Sequence, residues 1–358
     1  MNTRIMWAQD LHLKPSIQFR GRTIYGDSAD ALFQIAAICA ERRPGALILG
    51  GDLYDTPRPE AYSLNAFAAF VDAVRSYGTE VYAIQGNHDR TSSISELNVG
   101  ETKAPALFEA DGVLSLDGRL LEISGARVYG MEYCSIAKAQ ERMAAVPECD
   151  ILCMHHRFRH MLGFDEVYHY DLADVSPNVR KYVLCGDVHV PDNREIAPGV
   201  RFISTSSTWV TRQGEQLKKH CVCEIDTADW KCVFTALRTR QYIDVSKEKD
   251  DWQEQAVEAV LKQNEQCTLP PVITTTDWHG MTKKYGDKAI FVEPVRVQVQ
   301  AEQPDDTEQD ATPEMTLPQA IGAYYAKKGD TETAGFLQDL VSSPDSAARL
   351  EEKLNQIV

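Results

Sequence analysis

The sequence predicts an α/β layered fold, and three of its features do so. Apolar runs of strand length alternate with segments of helical periodicity along the first half of the chain. Each apolar run ends in glycine or polar residues, the place where open α/β sheets put their sites. After about residue 215 the texture changes to shorter alternating strands with less helix between them.

Residues 4–9 (RIMWAQ) read as the first strand and 28–43 as the first helix. Residues 46–51 (ALILGG) form a buried strand, 60–77 a helix, and 80–86 (EVYAIQG) a third strand. Further strands are expected at 127–132, 150–155, 182–186 and 201–205. Past residue 215, CVCEID (221–226), KCVFTAL (231–237) and RQYIDV (240–245) suggest a small antiparallel meander. An amphipathic helix at 251–263 and an alternating strand at 291–300 complete an α+β unit. Residues 301–316 (AEQPDDTEQDATPEMT) are acidic, hold almost no large apolar group, and read as a linker. The last 42 residues regain a helical pattern, with Ser343-Pro344 as a helix start. Phe336, Leu337 and Leu340, and then Leu350, Leu354 and Ile357, make two short apolar stripes there.

The composition is that of a globular chain, 43% hydrophobic and 25% charged over 358 residues. No apolar stretch approaches the roughly 20 residues of a membrane span, and the start does not read as a signal peptide. Nine cysteines without a paired framework or a C-x-x-C suggest reduced thiols and a cytoplasmic setting. The net charge is −16, of which residues 301–358 carry half. Such acidity disfavours broad binding to phosphate backbones unless metals or a partner hold the phosphates.

Five polar fragments occur in order at expected strand ends: Asp10-Leu11-His12, Gly51-Asp52-Leu53-Tyr54-Asp55, Gly86-Asn87-His88-Asp89, His155-His156, and Gly186-Asp187-Val188-His189. Each alone is commonly a turn, but as an ordered set they describe a metal site. The set resembles the calcineurin-like metallophosphoesterases, whose pattern is D-x-H, G-D-x-x-D, G-N-H-[DE], a lone His and G-H-x-H. Within them, GDLYDTPRPEAY (51–62) is similar to the SbcD-type nuclease subunit of the double-strand-break repair complex.

The resemblance implies a four-layered αββα sandwich over 1–215, a capping domain over 216–300, the linker at 301–316, and a helical partner-docking tail at 317–358. It also implies phosphodiester hydrolysis with two divalent ions, which hold the phosphate oxygens and activate water. By the family pattern Asp52 bridges the ions. Asp10, His12 and His189 complete the ligands of the first ion, and Asn87, His155 and Asp187 those of the second. Mixed imidazole and carboxylate ligands suit manganese better than magnesium. His88 would give a hydrogen bond or proton to the departing oxygen, with Asp55 orienting it. Lys14, Arg90 and His156 are candidate phosphate or DNA contacts. Implied partners are DNA, a second copy of this chain, and an SbcC-type coiled-coil ATPase docked on the tail; the chain itself has no P-loop.

Asp187 departs from the pattern, standing where the family has the first histidine of G-H-x-H. Aspartate is a competent manganese ligand, but it is shorter and adds a negative charge. His160, His169, His220 and His279 have no ligand partner at a recognisable spacing, and Trp7 and Trp209 are expected in the core. Two other functions fit the same residues: a phosphatase or phosphodiesterase on small molecules or phosphoproteins, and a scaffold that keeps the fold with weak chemistry.

Overall fold

Strand parity builds the core. In β1 (Arg4–Ala8), Ile5 and Trp7 face one way and Met6 and Ala8 the other, and all four are fully buried, so both faces of this strand are covered. The same holds for β4 (Ala46–Gly50), where Leu47 and Leu49 join one apolar cluster and Ala46 and Ile48 another. The computed structural model describes residues 2–90, 112–162, 167–212, 215, 219–264 and 269–294, all within one compact unit, Met1–Arg296.

Two six-stranded sheets lie face to face. β5 (Glu80–Ile84) and β6 (Leu114–Ser115) extend the first sheet beside β4, in parallel. The second sheet centres on the parallel strands β8 (Ala126–Met131), β9 (Cys149–His155), β10 (Val179–Gly186) and β12 (Val200–Ser204). Its antiparallel edges are β7 (Leu120–Ile123) and β11 (Asp192–Ala197). Between the sheets, Ile5, Trp7 and Ile48 meet Ile151, Cys153 and Leu184. The outer face of the first sheet packs on α1 (Asp27–Arg42) and α2 (Ala61–Ser76) through Leu32, Ile35, Phe67 and Val71. The outer face of the second packs on α3 (Ile136–Ala144) through Ala139 and Met143. The layers are α, β, β and α, as expected.

The region after residue 215 is arranged differently from the expected meander. β13 (Cys221–Asp226) pairs antiparallel with β1, and β14 (Lys231–Ala236) pairs with β13, so both complete the first sheet of the sandwich. The third expected strand, β15 (Tyr242–Asp244), joins a separate sheet. That sheet is parallel, running through α4 (Asp250–Gln263), β16 (Val272–Thr274), α5 (Trp278–Tyr285) and β17 (Ile290–Val292). The unit is therefore β-α-β-α-β over 242–292, and the boundary drawn at 215/216 falls inside the sandwich. Short alternating strands look alike in sequence whichever sheet their edges reach.

A hairpin of β2 (Ser16–Phe19) and β3 (Arg22–Tyr25) joins the two parts: Ile17, Phe19 and Ile24 pack with Tyr242, Val272 and Val292. Beside it the buried Arg240 donates from Nε to Asp27 Oδ1 at 2.9 Å and from its two terminal nitrogens to the main-chain oxygens of Pro270 and Tyr25. The linker, the tail and most of the strand expected at 291–300 lie outside the described residues. No helix among the described residues is long and apolar enough to cross a membrane. The described cysteines are free thiols.

Candidate active site

All the expected ligands sit at or just past C-terminal strand ends, and both sheets contribute. Asp10 and His12 follow β1, Asp52 follows β4, Asn87 and His88 follow β5, His155 closes β9, and Asp187 and His189 follow β10. The loops after β1 and β4 are zipped together: Asp10 N donates to Gly51 O at 3.1 Å and His12 N to Asp52 O at 2.8 Å. Four residues here hold a left-handed backbone without being glycine: Asp10 (φ 52), His12 (φ 40), Asp52 (φ 48) and Asp187 (φ 89). Such backbone strain persists only where surrounding contacts enforce it, and it clusters at functional sites. Glycine is required next to them. A Cβ on Gly51 (φ +87) would collide with the His155 ring, and one on Gly86 with the Asp52 carboxylate.

The side chains converge on Asp52. Its Oδ2 lies 3.4 Å from His12 Nε2 and 3.4 Å from His155 Nε2, while its Oδ1 accepts from His88 N at 2.9 Å. His155 donates from Nδ1 to Gly50 O at 2.8 Å, which turns Nε2 towards Asp52 and towards Asn87 Oδ1 at 3.2 Å. Asp10 accepts from Asp187 N and from Gln9 Nε2. Potential ligand atoms fall within 4.8 Å of one another in three groups: Asp10, His12 and His189; Asp10, Asp52 and His155; and His12, Asp55 and His88.

The electrostatics are those of a closely packed charge cluster. Burial disfavours the ionised form of Asp52, yet His155, His12 and His88 hold it well below the usual carboxylate range. His155 moves the opposite way: burial opposes its charge, but Asp52 and Asp10 raise it to about 10. Burial and the neighbouring Asp52 raise Asp89 to about 6, although its carboxylate accepts from the amides of Leu53, Tyr54 and Gly86. Asp89 thus ties two ligand loops together.

The donor set fits divalent cations. His12 Nε2 and His189 Nε2 face each other at 3.0 Å in a buried setting, an arrangement that a cation relieves when both rings are neutral. His189 Nδ1 is held by Glu215 Oε1 at 2.6 Å. Glu215 is itself buried, and its Oε2 accepts from Thr211 N at 3.0 Å and Thr211 Oγ1 at 2.9 Å. A carboxylate behind a ligating imidazole fixes its tautomer and orientation. The fragments gave no hint of Glu215; it lies 26 residues past His189 and reaches it only through the loop after β12. A Glu215→Gln variant is expected to weaken one manganese equivalent roughly 10- to 100-fold, read by calorimetry. Unchanged affinity for both ions would remove Glu215 from the site.

Several expected roles are revised. Asp55 does not orient His88 through its carboxylate. His88 Nδ1 donates to the Asp55 main-chain oxygen at 2.8 Å, while the carboxylate takes Lys14 Nζ at 2.9 Å and faces His12 Nδ1 at 3.4 Å. Burial opposes the charge of Asp55, but His12 and Lys14 lower it to about 2. Lys14 does line the cleft. Arg90 does not: it is buried and ion-paired with Glu132 at 2.6 Å. Asp187 lines the cleft as expected; its carboxylate falls outside the three ligand groups and lies 3.3 Å from Arg157 Nε, while its buried Oδ2 makes no hydrogen bond.

His156 is also excluded from the cleft, because adjacent strand residues face opposite ways. It packs fully buried against Tyr133, His169 and Tyr170, with Cys134 Sγ 3.3 Å from its Nε2. Burial holds it well below the usual histidine range and lowers His169 to about 4. Both rings are neutral when folded and take up a proton on unfolding, so stability falls as pH drops from about 6.5 towards 4. The expected loss between pH 7 and 5 is about 2 kcal/mol per imidazole. Urea midpoints at the two pH values should show it, with a flatter dependence in His169→Asn. An equal slope in that variant would contradict the assignment.

The remaining assignments hold without ligand roles: Trp7 and Trp209 are in the core, and His160 pairs with Asp192 at 2.8 Å. The cleft above the ligands has a volume of about 320 Å³ and is lined by Asp52, Asn87, His88 and His189, with Lys14, Arg157 and Arg212 as its cations.

This geometry belongs to a known class. The chain is a member of the calcineurin-like phosphoesterase family, whose model matches residues 3–214, a family that uses divalent metals. Among curated proteins it is 27% identical to the DNA double-strand break repair protein Mre11 of Haloferax volcanii, over 59% of this chain and 45% of that one. It is 32% identical to a probable cyclic nucleotide phosphodiesterase of Rhodococcus erythropolis, over 33% of this chain and 40% of the other. It is 29% identical to a component of the SbcCD nuclease of Bacillus subtilis, over 26% of this chain and 23% of that one. The matched region spans less than half the length of each of these relatives.

Proposed function

We propose that the chain hydrolyses phosphodiesters as a metal-dependent DNA nuclease subunit, working with a coiled-coil ATPase. The observation that carries the hydrolytic reading is the position of Asp52 Oδ2, shared at 3.4 Å between His12 and His155, with the exposed His88 beside it on the cleft. Divalent ions, when bound, supply Lewis acidity to phosphate oxygens and lower the pKa of water. Asp10, His12, His189 and Asp52 would hold one ion; Asp52, Asn87 and His155 would hold the other. His88, with Nδ1 anchored on the Asp55 carbonyl, keeps Nε2 for proton transfer to the leaving oxygen. The cations of the cleft hold the phosphate. Manganese suits this mixed nitrogen and oxygen set.

DNA as substrate, and the ATPase and homodimer as partners, are supported by the GDLYDTPRPEAY segment and by the similarity to Mre11 and to the SbcCD nuclease component. A small-molecule phosphodiesterase is the second reading, favoured by the small cleft, the acidic chain and the similarity to the cyclic nucleotide enzyme. Turnover of linear duplex DNA, a cyclic nucleotide, a bis-aryl phosphodiester and a phosphomonoester, each with manganese, separates them. The nuclease reading expects DNA cleavage, stimulated by the ATPase. Cyclic nucleotide turnover with intact DNA would reverse the choice.

A further inference from the structure

Gln9, the residue after β1, is fully buried, and its side-chain amide makes four hydrogen bonds. Its Oε1 accepts from Trp7 Nε1 and from Thr205 N, each at 3.0 Å. Its Nε2 donates to Asp10 Oδ2 at 2.9 Å and to Ser204 Oγ at 3.1 Å. Two lone pairs and two N–H groups are the whole capacity of a carboxamide, and all are used.

The amide has one permitted orientation. An indole N–H and a main-chain N–H can only donate, so the atom between Trp7 and Thr205 has to be the oxygen. The NH2 group is thereby aimed at Asp10. A flipped amide would set N–H against N–H on one side and an oxygen against the Asp10 carboxylate on the other. Gly50 keeps the space open, since a Cβ there would collide with the Trp7 ring and crowd Gln9 Cβ.

Asp10 belongs to two of the three ligand groups, one with His12 and His189 and one with Asp52 and His155. Its Oδ1 accepts from Asp187 N at 3.1 Å, so with Gln9 on Oδ2 the carboxylate is held at both oxygens. Each oxygen keeps a lone pair for a cation. The same amide spans the sandwich: Gln9 follows a strand of the first sheet, while Ser204 ends β12 of the second and Thr205 comes next. The contact continues along the chain, with Thr208 N donating to Asp10 O at 3.4 Å and Trp209 Nε1 to Leu11 O at 2.6 Å. Because the ligands come from both sheets, a bond between these two ends sets how far apart the ligands stand.

We propose that Gln9 is a positioning residue of the metal centre, aiming the Asp10 carboxylate and fixing the two sheets' ends against each other. This role rests on the site being a phosphoesterase metal centre. Partners that orient a ligand in this way are typically worth about 10- to 100-fold in metal affinity.

The test uses the full chain with manganese for affinity and cobalt(II) for ligand geometry, which its visible spectrum reports. Gln9→Met has no donor, and one manganese equivalent should bind at least about 10-fold more weakly. Gln9→Glu keeps an acceptor for Trp7 and Thr205, which guards against a folding defect, but its carboxylate offers Asp10 no N–H. The two variants differ in charge and share the loss of that donor, so the cobalt spectrum should change in both. Ser204→Ala removes one of the four bonds and leaves the donor to Asp10 in place. It should lower the urea midpoint and keep the wild-type spectrum. A wild-type spectrum in Gln9→Glu, wild-type manganese affinity in folded Gln9→Met, or an equal spectral change in Ser204→Ala would overturn the proposal. Absence of phosphodiester turnover by the wild type would overturn the nuclease reading instead, and the metal titrations would still decide the role of Gln9.

Discussion

A His88→Asn variant should bind both metal ions as the wild type does and lose at least about 100-fold in phosphodiester turnover, the usual effect of removing a positioned acid. The separation follows from how His88 is held. Its backbone amide donates to Asp52 Oδ1 at 2.9 Å and survives the substitution, so the metal-facing carboxylate keeps its orientation. Its ring is anchored through Nδ1 on the Asp55 carbonyl, and it meets His12 edge-on at 4.8 Å between centroids. Asparagine can keep the anchoring hydrogen bond, but it cannot transfer a proton near neutral pH. Manganese calorimetry beside steady-state kinetics reads both halves. Turnover at the wild-type rate would mean that His88 takes no part in chemistry. Loss of an ion would instead make it a ligand, through the group it forms with His12 and Asp55.

Asp52→Asn should have the largest effect on metal. One oxygen, Oδ2, stands between His12 Nε2 and His155 Nε2, so a single substitution removes charge from both ion positions. Affinity should fall by more than the roughly 10- to 100-fold typical of outer partners, and turnover should fall with it. The variant also has a metal-free signature. Asp52 is the main charge that raises His155 to about 10, so the ring should titrate at lower pH in Asp52→Asn, readable by NMR. Full metal affinity in this variant would show that the ions are held elsewhere.

How the site could be read from sequence differs residue by residue. Asp10, His12, Asp52, Asn87, His155 and His189 were legible because each follows an apolar strand, and parallel strands bring their ends to one edge. Arg90 and His156 misled because sequence adjacency says nothing of direction: one turns to Glu132, the other to the Tyr133–His169–Tyr170 cluster. Asp55 was recognised, but its backbone carries the contact assigned to its side chain. Glu215 left no signal, being a charged residue in a polar loop like many others in the chain.

The sequence by itself determined the layered α/β sandwich, because burial on both faces demands continuous apolar strands and one-sided helices, and those patterns are local. It also placed the candidate ligands, since each follows an apolar strand run. Tertiary structure alone decided where β13 and β14 belong, because an edge strand pairs with whichever edge is near. It alone decided that the 242–292 unit is parallel and that Asp187 faces Arg157. Those outcomes depend on hydrogen bonds and charges between residues far apart in the chain, a distance that periodicity does not span.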